Sequence, residues 1–140
     1  MLASEIQISR KLTNELLHLA QISPQAEICG LVSAKNNQPV RCYPIKNVAA
    51  QPQQQFLLDA EQQIAAMKTM REHSEELFAI YHSHPTSPAI PSTTDLDLAA
   101  YEDALYLIIS LNTKGVLEMR GFNIQQKTAE EVVLTLADES

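Results

Sequence analysis

Hydrophobic residues recur at helical spacing in two stretches of the chain. The first covers residues 9–23, ahead of Pro24, where a helix has to stop. The second follows Asp59, a residue type that caps helix N-termini, and covers residues 60–74. The apolar positions are Leu12, Leu16 and Leu19 in the first stretch and Ile64, Met67 and Met70 in the second. The pattern predicts two helices, each with one buried face.

Short apolar or β-branched runs predict the strands. Residues 27–34 and 40–46 are separated by a turn-like Lys-Asn-Asn-Gln segment and are expected to pair as a hairpin. A polar loop, residues 47–55, leads to a short strand candidate at 56–58, and this loop is a hypothetical contributor to partner binding. Further strands are expected at 77–82, 104–111, 116–122, after a tight turn at Lys114–Gly115, and 132–136. Helices and strands mixed in this order predict an α/β or α+β domain built on one sheet.

Size and charge narrow the function classes. The 140 residues are expected to form a single domain, 1–140. A formal net charge of −7 argues against nucleic acid or anionic lipid as a partner, and no apolar run approaches the roughly 20 residues of a membrane span. With two cysteines that form no C-x-x-C pair and no leader-like N-terminus, a cytoplasmic protein is expected. The oligomeric state stays open, with a homodimer among the alternatives.

The stretch 81–98, YHSHPTSPAIPSTTDLDL, contains the most distinctive chemistry. On a strand, His82 and His84 point to the same face, and Pro85 ends that strand. Ser92 and Asp95 have the spacing of a capping box that begins a helix. A buried, hydrogen-bonded histidine pair followed by an ordinary helix cap is one interpretation. Two imidazoles joined by a returning carboxylate are the other, and three ligands are the number that a catalytic zinc takes from its protein.

Hydrolysis of an amide also needs a group that moves protons between water and the leaving amine. Glu27 is the candidate because it is embedded in the apolar run Ala26–Val32, where a solvated glutamate is less expected. A glutamate that faces water from an edge strand is the alternative.

These residues together resemble a known family. Glu27-x-Cys29-Gly30-Leu31, followed by His82-x-His84-Pro85, six residues, and Ser92-x-x-Asp95, is similar to the signature of the JAMM (MPN+) zinc metalloproteases. The resemblance implies a cytidine-deaminase-like JAB1/MPN domain of the α/β class, a curved mixed β-sheet flanked by helices. It also implies that His82, His84 and Asp95 bind one Zn²⁺ per chain, that Glu27 is the general acid/base, and that Ser92 donates a hydrogen bond to the oxyanion. Asp97, His18 and His73 match no position of the signature and are expected to be surface residues.

The resemblance implies a zinc-dependent peptidase or isopeptidase that cuts after the C-terminal Gly-Gly tail of a small ubiquitin-like or sulfur-carrier protein. Such a tail is expected to bind extended along a strand edge. A non-catalytic MPN-type scaffold or carrier-binding module, or a regulator with a structural metal, is the alternative. A nucleoside deaminase is excluded because its signature, H-x-E followed by P-C-x-x-C, does not occur, and 140 residues are too few for the (β/α)₈ barrel of an amidohydrolase.

Overall fold

The computed structural model describes residues 5–112 and 117–137 of the chain. Ten elements follow one another in these ranges. They are β1 (Glu5–Ser9), α1 (Arg10–Gln21), β2 (Cys29–Lys35), β3 (Gln38–Ile45), α2 (Ala60–Glu72), β4 (Glu76–His84), α3 (Thr93–Leu98), β5 (Leu105–Ser110), β6 (Glu118–Gln125) and β7 (Thr128–Ala137).

The strands form one seven-stranded mixed sheet in the order β1-β7-β6-β5-β4-β2-β3. Two neighbouring pairs, β1 with β7 and β4 with β5, are parallel, and the remaining pairs are antiparallel. Every residue of β5 is buried, as its continuous apolar sequence predicts for a central strand. The C-terminal half of β4 is buried as well, so this strand carries its last residues into the interior.

Helices cover both faces of the sheet, and each face has its own apolar cluster. Leu12 and Leu16 of α1 pack with Leu107 and Ile109 on one face. On the other face, Met70 of α2 packs with residues of β2, β4 and β5. The predicted buried face of α2 is partly wrong, because Ile64 is 69% exposed and Ala66 is the residue that is buried together with Met70.

Most of the predicted elements are confirmed, with shifted ends. The second helix begins at its predicted cap, since Asp59 accepts a hydrogen bond from Gln62 N–H, and the first helix is capped by Ser9, which accepts one from Leu12 N–H. The hairpin of β2 and β3 is present, but the first strand begins at Cys29 rather than at residue 27. The 56–58 segment contributes only a single bridge, between Leu58 and Asn47. Val116 and the predicted Lys114–Gly115 turn lie outside the described residues.

One strand is not predicted by the apolar pattern. β1 has the sequence EIQIS, which is short and of mixed polarity, and it pairs in parallel with β7 at the other end of the chain. Pairing with β7 and burial of Ile8 in the core stabilise this strand. No helix in the described part of the chain is long and apolar enough to cross a membrane.

Candidate metal centre

His82 and His84 lie at the C-terminal end of β4, separated by one residue. His82 and His84 are 1% and 3% exposed, and their Nε2 atoms are 3.1 Å apart. Ser83 points the other way, and its hydroxyl oxygen accepts a hydrogen bond of 2.9 Å from Ile28 N–H. The prediction that both imidazoles share one face of the strand is therefore confirmed.

The loop after β4 and the N-terminal cap of α3 bring the Asp95 carboxylate back to the two histidines. His84 Nδ1 lies 2.8 Å from the carbonyl oxygen of Pro88, so the loop after β4 fixes the ring, and α3 then begins at Ser92. The capping box is present in full, with Asp95 N–H donating to Ser92 Oγ and Ser92 N–H donating to Asp95 Oδ2. The same Oδ2 atom lies 3.1 Å from His82 Nε2 and 3.0 Å from His84 Nε2. Cap and candidate ligand are thus the same side chain.

The three atoms form a nearly equilateral triangle, and its size and chemistry suit zinc. Donors on a tetrahedral zinc, bound at about 2.0 to 2.1 Å, lie about 3.3 Å from one another, so a slight expansion of the triangle accommodates the ion. Because Nδ1 of His84 donates to Pro88, the Nε2 atom is the one left to offer a lone pair. Two imidazole nitrogens and one carboxylate oxygen are a usual catalytic zinc set with the fourth position left for water. We conclude that the residues fit a zinc ion.

The charges at this triangle are coupled in the metal-free protein. Burial opposes a charge on Asp95, but hydrogen bonds with His82 and His84 outweigh it and keep the Asp95 pKa well below its usual range. Burial lowers the pKa of His82. Burial also works against a charged His84, yet hydrogen bonds to Asp95 and to the Pro88 carbonyl raise the pKa of His84 above its ordinary value. A metal at this place therefore displaces a proton, and acid opposes its binding.

Glu27 lies beside the triangle rather than at its corner. The pairing of Cys29 with His82 places the segment before β2 next to the end of β4. Glu27 is 5% exposed, and one carboxylate oxygen lies with ring nitrogens of His82 and His84 in a group whose members are all within 4.8 Å of one another. Its Oε1 atom is buried and has no hydrogen-bond partner among the described residues. Burial raises the pKa of Glu27 to about 8; the positive charge of His84 lowers it and the nearby Asp95 raises it further. A buried carboxyl with this pKa is suited to proton transfer near neutral pH.

The sequence places the chain in a family. The sequence profile described as prokaryotic homologs of the JAB domain matches residues 9–123. The chain belongs to this family. The predicted resemblance is confirmed, since JAMM proteins and JAB-domain proteins share this fold and the signature runs through the matched residues.

Two curated relatives and two solved structures resemble this JAB-domain protein. It is 33% identical over 62% of its length to the desampylase of Haloferax volcanii, and that alignment spans 64% of the relative. It is 28% identical to the CysO-cysteine peptidase of Mycobacterium tuberculosis, over 94% of this chain and 91% of the relative. The solution structure of a Desulfitobacterium hafniense protein has a TM-score of 0.85 at 31% identity, covering 96% of this chain and 94% of the other. A JAB1/MPN domain protein from Archaeoglobus fulgidus, at 20% identity and a TM-score of 0.62 over 96% and 100% of the two chains, confirms the predicted fold.

The residues set aside from the signature lie at the surface of the JAB-domain protein, as predicted. Asp97 is exposed and pairs with Lys127, whose Nζ atom is 3.7 Å from the carboxylate. His18 and His73 are also exposed. The cysteines, by contrast, are buried free thiols in the part of the chain that the structure describes.

Three features near the centre were not predicted. Phe56 stacks on the ring of His82 with the ring centres 4.3 Å apart. Phe56 also lines an apolar groove of about 310 Å³, together with residues of α3 and the segment after it, and a recess beside this groove reaches His82 and Asp95. The loop that carries Phe56 is tied together by Asn47, which a polar composition does not reveal. The sequence signal that could have indicated the contact with His82 is Phe56 itself, the aromatic residue that directly follows the polar loop of residues 47–55.

Burial of Glu27 predicts how the stability of the metal-free JAB-domain protein depends on pH. The folded-state pKa, about 8, lies above the ordinary value of 4.5, so between these pH values the unfolded chain releases a proton that the folded chain retains. This contribution of Glu27 to stability is complete below about pH 4.5 and is lost as the pH rises through about 8. We expect Glu27→Gln to become more stable relative to the wild type as the pH rises from 5 to 8, by at most a few kcal/mol. Urea unfolding of both chelator-treated proteins measures the difference, and equal pH slopes would contradict it.

Proposed function

We propose that the chain is a zinc-dependent peptidase that cleaves the bond after the C-terminal tail of a small ubiquitin-like or sulfur-carrier protein. The observation that carries the proposal is the triangle of His82, His84 and Asp95, with the buried Glu27 carboxyl beside it. Family membership and peptidase relatives support the same reaction.

In this proposal, His82, His84 and Asp95 hold one zinc ion per chain. A bound zinc would polarise the scissile carbonyl and make a water molecule acidic enough to attack near neutral pH. Glu27 takes a proton from the attacking water at its carboxylate and passes it to the nitrogen of the leaving amine as the carbon–nitrogen bond breaks. Burial raises the pKa of Glu27 to about 8 in the absence of metal, and the positive charge of a bound zinc would lower it towards the neutral range in which a carboxyl both accepts and gives a proton.

Ser92 is proposed to donate a hydrogen bond to the carbonyl oxygen as negative charge develops on it. The hydroxyl oxygen already accepts the N–H of Asp95, which occupies a lone pair and leaves the hydroxyl hydrogen free to donate elsewhere. Capping α3 and stabilising an oxyanion therefore do not compete for the same part of the hydroxyl. Ser92 is exposed, so a substrate can reach it.

The apolar groove is the proposed place for the carrier tail. It is lined by Phe56, Leu58, Leu98 and Tyr106, among others, and it adjoins the recess that touches His82 and Asp95. An extended tail in this groove would place its terminal carbonyl at the centre. The leaving group on the other side of that carbonyl is an amino acid, as in the name of the CysO-cysteine peptidase, or a lysine side chain of a conjugated protein.

The proposal also covers the molecular setting. We propose a single domain over residues 1–140. We also propose a cytoplasmic location, where thiols stay reduced, and the two free cysteines agree with it. The net charge of −7 supports a protein partner rather than nucleic acid. A homodimer remains an alternative to a monomer.

The test is cleavage of defined fusions by zinc-loaded protein. Small carriers that end in Gly-Gly are joined to cysteine, to a peptide or to the side chain of a lysine, and products are read by mass. We expect cleavage directly after the second glycine and none in fusions where both glycines are replaced by alanine. Zinc bound at about one equivalent without cleavage of any fusion would favour the alternative of a carrier-binding module, and absence of bound zinc would reject the metallopeptidase.

A further inference from the structure

The side-chain amide of Asn47 uses all of its hydrogen-bonding capacity, with three bonds inside its own loop and one to the segment that carries Glu27. Its Nδ2 group donates to the carbonyl oxygens of Glu27 and Gln55, at 3.0 and 2.9 Å. Its Oδ1 atom accepts from the N–H groups of Ala49 and Leu57, both at 3.0 Å. A side-chain amide has two donor hydrogens and two acceptor positions, so a complete set of four bonds marks a fixed orientation.

These bonds reach the two features that flank the metal centre. One holds the backbone of Glu27, whose N–H also donates to the Pro52 carbonyl in the same loop at 2.8 Å. Another holds Leu57, the residue after Phe56, whose ring stacks on His82. Asn47 is therefore the link between the segment that carries the candidate base and the segment that covers a candidate ligand.

The position of the Glu27 side chain depends on these backbone contacts. Its Oε1 atom has no hydrogen-bond partner within the described ranges, so on that side no side-chain contact fixes the carboxyl. The next residue, Ile28, is held by Ser83, which anchors the segment to β4. The other side of the segment is held by the loop of residues 47–58, through Asn47 and Pro52.

We propose that Asn47 is a positioning residue that holds Glu27 and Phe56 against the metal centre. This inference rests on the proposed function for its effect on the reaction, but its structural part concerns only contacts within this chain. A base displaced by about 1 Å can lose roughly 10²-fold in rate, so we expect the loss of Asn47 to lower kcat by about 10- to 100-fold. KM is expected to change less in Asn47→Asp, because this variant keeps the bond to Leu57, which lines the apolar groove together with Phe56.

Two variants separate the two bonds that Asn47 donates from the two bonds that it accepts. Asn47→Asp keeps the size of the side chain and both acceptor bonds, but it loses the donations to Glu27 and Gln55. Asn47→Ala loses all four. Gln53→Ala is the matched control, because Gln53 is an exposed residue of the same loop.

Amide hydrogen exchange in the metal-free protein tests the structural part without any activity measurement. We expect exchange at Glu27 N–H to accelerate at least about 10-fold in both Asn47 variants, because the acceptor loop is no longer tied to Glu27. Exchange at Leu57 N–H is expected to accelerate in Asn47→Ala only, while Gln53→Ala matches the wild type at both amides. Unchanged exchange at Glu27 in both variants would overturn the inference.

A double-mutant cycle tests the effect on the reaction. If Asn47 acts through Glu27, then Asn47→Asp lowers kcat about 10- to 100-fold in the wild-type background and less than about 2-fold in a Glu27→Gln background. Equal losses in both backgrounds, with one zinc ion bound throughout, would show that Asn47 does not act through Glu27. A wild type that cleaves no fusion would instead contradict the proposed function, and the exchange experiment would still decide the structural role.

Discussion

Zinc-loaded Glu27→Gln protein is expected to keep one zinc ion per chain and to lose about 10²- to 10⁴-fold in kcat. The substitution preserves the shape of the side chain and removes the group that accepts a proton. Glu27 lies beside the triangle of His82, His84 and Asp95 rather than at one of its corners, so metal binding does not depend on its charge. Metal content by mass spectrometry and turnover of a carrier fusion measure the two quantities on the same sample.

Glu72→Gln is the control for this substitution, since it makes the same chemical change at an exposed residue of α2. It is expected to match the wild type in zinc content and in kcat. Full activity of Glu27→Gln would mean that another group serves as the base. Loss of zinc together with activity would instead make Glu27 a metal ligand.

His82→Ala and Asp95→Asn are each expected to lose both zinc and hydrolysis. His82→Ala removes one of the three atoms that lie 3.0 to 3.1 Å from one another, and Asp95→Asn replaces the charged carboxylate by a neutral amide, which is a much weaker zinc ligand. The stabilisation that zinc gives to the wild type grows with its concentration, so thermal unfolding with and without added zinc reports the loss independently of any substrate. The melting temperature of both variants is expected to be insensitive to zinc.

The chain offers a matched control for each of these ligands. His18→Ala removes an exposed histidine, and Asp97→Asn removes a carboxylate two positions beyond Asp95. Both controls are expected to retain one zinc ion and full activity. Retention of one equivalent of zinc by Asp95→Asn would contradict the prediction that zinc binding needs the charge of Asp95.

Local spacing explains why much of the site could be predicted. The common face of His82 and His84 follows from the two-residue period of a strand, and the return of Asp95 follows from the spacing of a capping box. Both depend on residues a few positions apart, so neither needs knowledge of the rest of the fold. The helix after Asp59 was also predicted from a cap, whereas the helix over residues 9–23 was predicted from the helical spacing of its leucines.

Contacts between distant segments were predicted less well. The local pattern left Glu27 open between a solvated and a buried carboxyl, and resemblance to the family decided its role in the prediction. Its burial comes from the pairing of β2 with β4 and from the loop of residues 47–58, which packs over it. β1 was missed because its only strand neighbour, β7, lies at the opposite end of the sequence.

By itself, the sequence determined the family, the helix caps at Asp59 and Ser92, and the residues available to bind a metal. The caps and the histidine pair depend only on residues a few positions apart. Only the tertiary structure decided that the three candidate ligand atoms lie within 3.1 Å of one another, that Glu27 is buried with a raised pKa, and that Asn47 and Phe56 contact residues of the candidate centre. The physical reason is that burial and convergence are produced by pairing and packing between distant segments. A short sequence pattern therefore predicts neither burial nor convergence.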